Sequence, residues 1–272
     1  MIKNTIKYSI LSIFIITSTN CFANSHSNNS SMDLAQASQN PIANLISVPI
    51  ENDINYDIGK YDRTQDALTF KPVYPIPLRN KWTLVTRTLI PLYLPQPKIE
   101  SKSGNKNGLS DINPQLYFVA PPIKDVMIGV GPTLIIPTAT NKILGSGKWS
   151  IGPTGVIVWS PKNIVAGVLL SNVWSFAGQS HRANVNLLTL QLFFNYNFSK
   201  GWFIFSDPVI TSNWKAPSGP KWTIPLGAGF GRLIKINKQN VKLNIALFKS
   251  VTRPITSPKW SLQGVATFLF PE

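Results

Sequence analysis

The amino-acid sequence predicts an all-β protein, and three observations lead to this prediction. The chain has 272 residues, of which 43% are hydrophobic and 11% aromatic, so it has enough apolar material for a folded domain. From Leu45 onward, apolar and polar residues alternate with a period of two, as in strands with one apolar and one polar face. After the first residues, no run approaches the roughly 18 apolar residues that a membrane-spanning helix needs.

Residues 1–23 have the features of a secretory signal peptide. Two lysines precede a short apolar stretch, and a small-x-Ala pattern places the cleavage site near Ala23. A lipoprotein acylated at Cys21 is the alternative, but Asn20 stands where a small residue is expected. Because Cys21 is the single cysteine, the mature chain is expected to have neither disulfides nor a Cys-based zinc site.

The next segment, residues 24–44, is a polar leader with a possible short helix. Asp33 is a candidate N-cap, and Pro41 would end or kink the helix. We expect this segment either to lie outside the β domain or to plug it. The remaining residues, 45–272, are expected to form the β domain.

Twelve segments show the alternation, and each is about long enough to cross a bilayer at a tilt. Within 109–120, for example, Leu116 and Phe118 share one face, while Asn113 and Gln115 share the other. The predicted strands are residues 45–56, 66–77, 82–93, 109–120, 125–138, 149–159, 164–176, 184–198, 202–214, 222–233, 241–252 and 260–270.

Alternation alone fits both a soluble sandwich and a membrane barrel, and the lengths of the connections favour the barrel. Short and long connections alternate, as they do between the two ends of an outer-membrane barrel. The link 234–240 is the mild exception, because it is longer than a tight turn. The short connections are 78–81, 121–124, 160–163 and 199–201, and the long ones are 57–65, 94–108, 139–148, 177–183 and 253–259.

The tryptophans also favour a membrane barrel, because they lie at strand ends rather than in strand centres. An amphipathic indole suits the boundary between water and hydrocarbon, and two rings of them form the girdles of such barrels. The predicted girdle residues are Trp82, Trp149, Trp159, Trp202, Trp214, Trp222 and Trp260.

The last strand ends in Thr267-Phe-Leu-Phe270, which resembles the terminal signal read by the barrel assembly machinery, although Pro271 and Glu272 follow. Together these features predict an all-β, up-and-down antiparallel transmembrane barrel of about 12 strands. Both chain termini would be periplasmic, in the outer membrane of a Gram-negative bacterium.

The chain carries 26 Lys+Arg against 11 Asp+Glu, a formal net charge of +15. We therefore expect anionic partners, namely outer-membrane lipid and lipopolysaccharide phosphates, or anionic solutes. Nucleic acid is a poor alternative, since the basic residues are dispersed and the chain is exported.

Polar residues within strands are expected to face the lumen, because a charge facing lipid near mid-membrane is costly. They could form an internal network that fills a narrow barrel, or a lining that selects solutes by charge. The lumen-lining candidates are Arg87, Asp111, Asn113, Gln115, Gln191, Asn195 and Arg232.

No motif in the sequence predicts catalysis, a metal or a cofactor. The glycines of 227–231 resemble half of a dinucleotide fingerprint, but no helix follows them, so we interpret them as an inner wall. Residues 145–148 lack the spacing of a phosphate-binding loop. His181 could act as the base of a barrel lipase, but no serine and asparagine stand at supporting spacings, so a loop residue is the plainer interpretation.

Eight short segments spread along the chain form a recognisable set. They are Asp33-Leu-Ala-Gln-Ala-Ser-Gln-Asn-Pro41, Leu45-Ile-Ser-Val-Pro49, Ser110-Asp-Ile-Asn-Pro114, Gly131-Pro-Thr133, Gly147-Lys-Trp149, Asn172-Val-Trp-Ser-Phe-Ala-Gly178, Asn195-Tyr-Asn197 and Phe268-Leu-Phe-Pro271. On these segments the chain resembles a family of bacterial outer-membrane barrels described as transporters and related to proteins of phenol-degradation operons (the MetA pathway). Some members are mislabelled "neuromedin U".

The resemblance covers about residues 33–271 and implies an uptake role for small solutes, aromatic or hydrophobic ones among them. It brings no catalytic residue to this sequence. The resulting hypothesis is a passive transporter or channel without a cofactor. The alternative is a structural or adhesive barrel that acts through its extracellular loops and has a closed lumen.

Overall fold

The computed structural model describes residues 27–216 and 219–271. The predicted signal peptide lies outside these residues. The described elements are α1 (Ser27–Gln39), β1 (Ile46–Ile58), β2 (Arg63–Phe70), β3 (Val73–Pro77), β4 (Thr83–Pro97), β5 (Asn105–Leu109), β6 (Asn113–Val119), β7 (Val126–Ile135), β8 (Lys148–Trp159), β9 (Ile164–Gly178), β10 (Asn186–Asn197), β11 (Trp202–Ser206), β12 (Val209–Asn213), β13 (Trp222–Ile236), β14 (Gln239–Thr252) and β15 (Trp260–Phe270).

The fifteen segments make twelve strands, because three strands are each interrupted once. The pairs β2/β3, β5/β6 and β11/β12 each continue along the same neighbours. Two of the interruptions hold a proline, in Lys71-Pro72 and Asp207-Pro208, and proline has no N–H to donate to the ladder. Each of the twelve observed strands overlaps one predicted segment.

The sheet closes on itself. β1 pairs with β2 on one side and with β15 on the other, and β9 pairs with β10. Every pairing is antiparallel, so the strands form a closed up-and-down barrel without free edges. The predicted fold class is confirmed.

The two ends of the barrel differ in their connections. Five short turns (78–82, 120–125, 160–163, 198–201 and 237–238) lie at the end where β1 begins and β15 ends, which we call the short-turn end. Most of the connections at the opposite end are longer. The predicted long connection 57–65 is wrong: β1 extends to Ile58 and β2 begins at Arg63, so four residues join them. The expected exception at 234–240 is wrong: β13 and β14 extend to Ile236 and Gln239, leaving a two-residue turn.

The alternation in the sequence matches the two faces of the wall. In β8, Ser150, Thr154 and Val158 are buried inside the barrel, whereas Ile151 and Ile157 are exposed on its outer face. Outward apolar side chains are what a barrel surrounded by lipid requires. No helix in the described parts of the chain is long and apolar enough to cross a membrane.

The glycine row of β13 faces inward, as predicted, because aromatic rings fill the space beside it. A Cβ added to Gly231 would lie 2.4 Å from Phe203, and one added to Gly229 would lie 2.6 Å from Phe205. Those rings belong to an inner cluster with Ala246 and Phe248. Side chains larger than hydrogen would therefore collide with the packed lumen.

Candidate functional site

The segment before β1 lies inside the barrel at the short-turn end. The helix α1 contacts β9, β10 and the turn at residues 199–201. Its buried Ala35, together with Leu45, packs against Leu233 and Leu269 of the barrel wall. We refer to residues 32–45 as the inner segment. The sequence allowed residues 24–44 either to plug the barrel or to lie outside it, and the inner segment lies inside.

Polar contacts attach the inner segment to the wall. The Gln39 and Asn197 side-chain amides are both buried and exchange two hydrogen bonds. Gln39 Nε2 donates to Asn197 Oδ1 at 2.8 Å, and Asn197 Nδ2 donates to Gln39 Oε1 at 2.9 Å. In addition, Lys242 Nζ donates to the Ser38 carbonyl at 2.7 Å. Buried amides paired in this way lose little by leaving water.

The inner segment also makes an apolar contact within the lumen, through Ile42. Ile42 is 1% exposed and belongs to a cluster drawn from six segments of the wall. These segments belong to one continuous part of the wall, from β3 to β10, and the cluster fills the lumen beside that part at the level of Ile42. Its wall members are Val73, Val85, Tyr117, Val119, Val156, Val158, Val165, Leu169 and Phe193.

Charged side chains surround a small cavity of about 150 Å³ beside the inner segment. Glu51 and Lys71 form an ion pair there. Arg87, Asp207 and Lys242 complete the charged lining. The lining thus mixes two carboxylates with three cations, which favours an internal network that fills the lumen.

A larger cavity of about 780 Å³ occupies the other half of the lumen, beneath the loops 136–147 and 179–185. We call it the vestibule. Its volume is within the range of small-molecule sites. Amide and hydroxyl groups alternate with aliphatic side chains on its wall, among them Leu89, Asn113, Gln115, Thr133, Ile135, Val173, Leu187, Thr189 and Asn213.

The loop 136–147 is held over the vestibule by two charged residues. The Asp111 carboxylate accepts hydrogen bonds from the Ser146 N–H at 2.6 Å and the Ser146 hydroxyl at 2.8 Å. Arg182 Nε donates to the Ser146 carbonyl at 3.1 Å, and its guanidinium also binds the Gly145 carbonyl. Both charges are therefore engaged in positioning the loop.

The predicted lumen residues divide between the two cavities, with one exception. Arg87, Gln191 and Asn195 line the small cavity, and Asp111, Asn113 and Gln115 line the vestibule. Arg232 lies on the outer face instead, with its guanidinium 5.0 Å from the centre of the Trp202 ring.

The expectation for Arg232 is wrong because it assumed that a charge in a strand must face the lumen. Phe230 faces outward, so the residue two positions later faces outward as well. At this strand end the cation can reach the headgroup region of a bilayer rather than its apolar centre.

Sequence reasoning missed several residues of the inner site. Glu51 and Lys242 line the small cavity, and the period of two in β1 and β14 places both on inner faces. Their facing could therefore have been found from the pattern. The contact between Gln39 and Asn197 could not, because no local pattern joins residues 158 positions apart.

The predicted girdle tryptophans lie at both ends of the barrel. Five of the seven are exposed, and Trp222 and Trp260 are partly covered. The Trp222 ring contacts Trp214, with 5.6 Å between centres, and Lys249 lies over Trp260. Trp82, Trp159 and Trp202 stand at the short-turn end, and Trp149, Trp214, Trp222 and Trp260 at the loop end.

His181 lies exposed in the loop 179–185 at the edge of the vestibule. Its side chain makes no hydrogen bond to the residues that the structure describes. Across residues 27–216 and 219–271, no cluster of three or more His, Cys, Asp or Glu side chains could hold a metal ion.

No family model matches the sequence, and none of the curated proteins gives a significant match. Solved structures are similar in fold. An outer membrane channel from Pseudomonas putida F1 is 13% identical with a TM-score of 0.65, over 84% of this chain and 96% of that one. The NanC porin is 9% identical with a TM-score of 0.53, over 84% and 100%. At these identities the likeness shows the fold, which is that of an outer-membrane barrel.

Proposed function

We propose that the protein is an outer-membrane channel through which small solutes pass passively, and that the inner segment closes it from the periplasmic side. The observation that carries this proposal is the contrast between the two halves of the lumen. The vestibule of about 780 Å³ is large enough for a small solute. The lumen at Ile42, by contrast, is filled by a segment that belongs to no strand.

The character of the lumen supports small solutes with apolar surface. Aliphatic side chains interleave with neutral amides and hydroxyls in the vestibule, and the barrier around Ile42 is apolar. The charges of Asp111 and Arg182 are engaged by the loop 136–147. The likeness in fold to a Pseudomonas putida outer membrane channel agrees with a channel.

The test compares the refolded chain with a form that lacks residues 24–44, in planar bilayers and in liposome-swelling assays with neutral sugars and phenols. We expect the shortened form to show a several-fold higher conductance and swelling rate, because the lumen at Ile42 loses its filling. A chain that lacks only residues 24–31 retains the inner segment and serves as the control. If neither form passes ions or solutes, the channel proposal is wrong.

The second candidate is a structural or adhesive barrel with a closed lumen. The observation that favours it is the apolar packing around Ile42, together with the ion pair of Glu51 and Lys71 beside the inner segment. This candidate predicts that both forms stay closed in the same experiment. It further predicts that changes in the extracellular loops alter binding to cells or surfaces.

Several narrower statements also belong to this proposal. We infer secretion by a signal peptide cleaved near Ala23, and insertion by the barrel assembly machinery. We also place the chain in the transporter family related to phenol-degradation proteins, on the sequence resemblance described above. We assign no catalytic role to His181, whose side chain is exposed in a loop.

A further inference from the structure

The five turns at the short-turn end share one feature: each carries an exposed lysine. These turns are the connections β3–β4, β6–β7, β8–β9, β10–β11 and β13–β14, so they are spread around the whole barrel. In chain order the residues are Lys81, Lys124, Lys162, Lys200 and Lys238. We call them the lysine ring.

Four of the five lysines adopt a left-handed backbone. Their φ angles lie between 41° and 63°, a region that favours glycine and asparagine over other residues. In the fifth turn Asn237, with φ 55°, takes this conformation and Lys238 follows it. Lysine is therefore placed repeatedly where the backbone prefers another residue. The four are Lys81, Lys124, Lys162 and Lys200.

Two of the turns show that the backbone does not require lysine. The turns at 79–81 and 199–201 have the same architecture, because the residue before each turn donates to the tryptophan after it at 2.8 Å. Both have two left-handed positions. The first holds Asn80 in one turn and Lys200 in the other, and the second holds Lys81 and Gly201. What the turns share is one lysine, at either position.

The ring is not neutralised within the described parts of the chain. Their two ion pairs join Lys71 to Glu51 and Lys259 to Asp57, and neither involves the ring. Outward tryptophans stand at the same end, including Trp82 directly after Lys81 and Trp202 two residues after Lys200. Aromatic residues at this height indicate the boundary between hydrocarbon and headgroups.

We propose that the lysine ring binds the phosphate groups of anionic phospholipids in the periplasmic leaflet. A leaflet surrounds the barrel, as the five turns do, whereas a protein partner would meet one side or the mouth. Each lysine ammonium group at the boundary raises the local concentration of anionic lipid about fivefold, by attracting its phosphate. The attraction is screened by salt. This inference does not depend on the channel proposal.

The experiment measures which lipid headgroups collect at each end of the barrel. The chain without the predicted signal peptide, residues 24–272, contains no cysteine and is labelled with an acceptor dye at Ser199→Cys, in a short turn, or at Ser103→Cys, in an extracellular loop. It is refolded into vesicles of phosphatidylcholine that contain a few per cent of donor-labelled phosphatidylglycerol or donor-labelled phosphatidylcholine. Energy transfer from the two donors gives the local enrichment of the anionic lipid.

The test variant carries Lys81→Asn, Lys124→Asn, Lys162→Asn and Lys200→Asn, because asparagine accepts the left-handed backbone. The control variant removes four exposed extracellular charges by Lys→Gln at Lys102, Lys106, Lys142 and Lys215. Folding of all forms is checked by the electrophoretic shift between unboiled and boiled samples.

With the dye at residue 199, we expect phosphatidylglycerol to be enriched at least twofold over phosphatidylcholine. This enrichment ratio should fall toward one in 1 M NaCl. The enrichment should fall by more than half in the four-asparagine variant, which retains only Lys238 of the ring, and persist in the control variant. Equal transfer from both lipids would overturn the proposal and leave an acidic periplasmic protein as the better partner. Enrichment of undiminished size in the folded four-asparagine variant would overturn it too.

Discussion

Individual residues show most clearly which contacts hold the inner segment in the lumen. Gln39 and Asn197 satisfy each other in a buried site through two hydrogen bonds. Both side chains are buried, so removal of Asn197 leaves the Gln39 amide without its partner, whereas Asn197 also donates to the Asn163 carbonyl at 3.2 Å. That loss typically costs about 1–3 kcal/mol. The pair is thus a specific point at which the inner segment can be loosened.

We therefore predict that Asn197→Leu speeds the hydrogen exchange of amides in residues 32–45 by about tenfold, because the Gln39 amide is left unpaired. The double variant Gln39→Leu, Asn197→Leu should recover part of the protection, since two apolar groups can pack together. Exchange measured by mass spectrometry checks both expectations. Asn186→Leu is the matched control, because Asn186 pairs with Asn172 at the far end of the same strand.

A second residue-scale prediction concerns two strand glycines. Gly229→Ala should lower the free energy of unfolding by about 1–3 kcal/mol, because the new Cβ would lie 2.2 Å from the Ile245 carbonyl oxygen. Gly264→Ala should be neutral or slightly stabilising, since no atom lies within 4 Å of its Cβ position. Urea titration of the barrel in lipid vesicles measures both. Equal effects would contradict the packing argument.

At the scale of elements, the loop 136–147 depends on contacts from outside itself. Asp111 precedes β6, and Arg182 lies in the loop 179–185, yet both bind near Ser146. A Cβ added to Gly145 would lie 2.3 Å from the Asp111 carboxylate, so a larger side chain there would clash with Asp111. The loop's position over the vestibule is thus decided by two neighbouring elements.

We predict that Asp111→Ala releases this loop and makes trypsin cleave after Lys142 several-fold faster. The substitution removes the acceptor for the Ser146 N–H and hydroxyl, and the released loop can then bind in the active site of trypsin. Asp125→Ala removes the same charge from a turn at the opposite end and should leave the cleavage rate unchanged. If the rates for both variants match the unmodified chain, Asp111 does not hold the loop.

The strand elements show where sequence patterns are reliable. Each predicted segment overlaps an observed strand, and in 109–120 and 184–198 the faces agree as well. Their ends were less well predicted. The link 234–240 became a two-residue turn because β13 and β14 continue to pair at Ile236 and Gln239. Pairing of that kind is a property of two strands together.

At the scale of the whole molecule, closure of the sheet explains the composition. Twelve antiparallel strands leave no unpaired edge, so the outer half of the alternating residues can face lipid. The lumen is then narrow enough for the inner segment to fill at Ile42. A low content of charged residues, 14% of the chain, follows from having a large apolar outer surface.

Closure also predicts a marked resistance to detergent. The unboiled protein from membrane fractions should migrate differently from the boiled protein in dodecyl sulfate gels, because a closed hydrogen-bonded wall unfolds only when heated. The extraction of an unshifted protein in the soluble periplasmic fraction would contradict a membrane barrel. A soluble protein of similar size run beside it provides the control.

The twelve strands, their two faces and the terminal positions of the tryptophans could be derived from the sequence, because period, length and polarity are local properties of a strand. Contacts between distant residues could not. Gln39 binds Asn197, Ile42 joins an apolar cluster drawn from six segments of the wall, and Arg232 lies over Trp202. These contacts exist only because closure brings separate strands around one lumen, so the tertiary structure alone decided where the barrel is filled and where it is open.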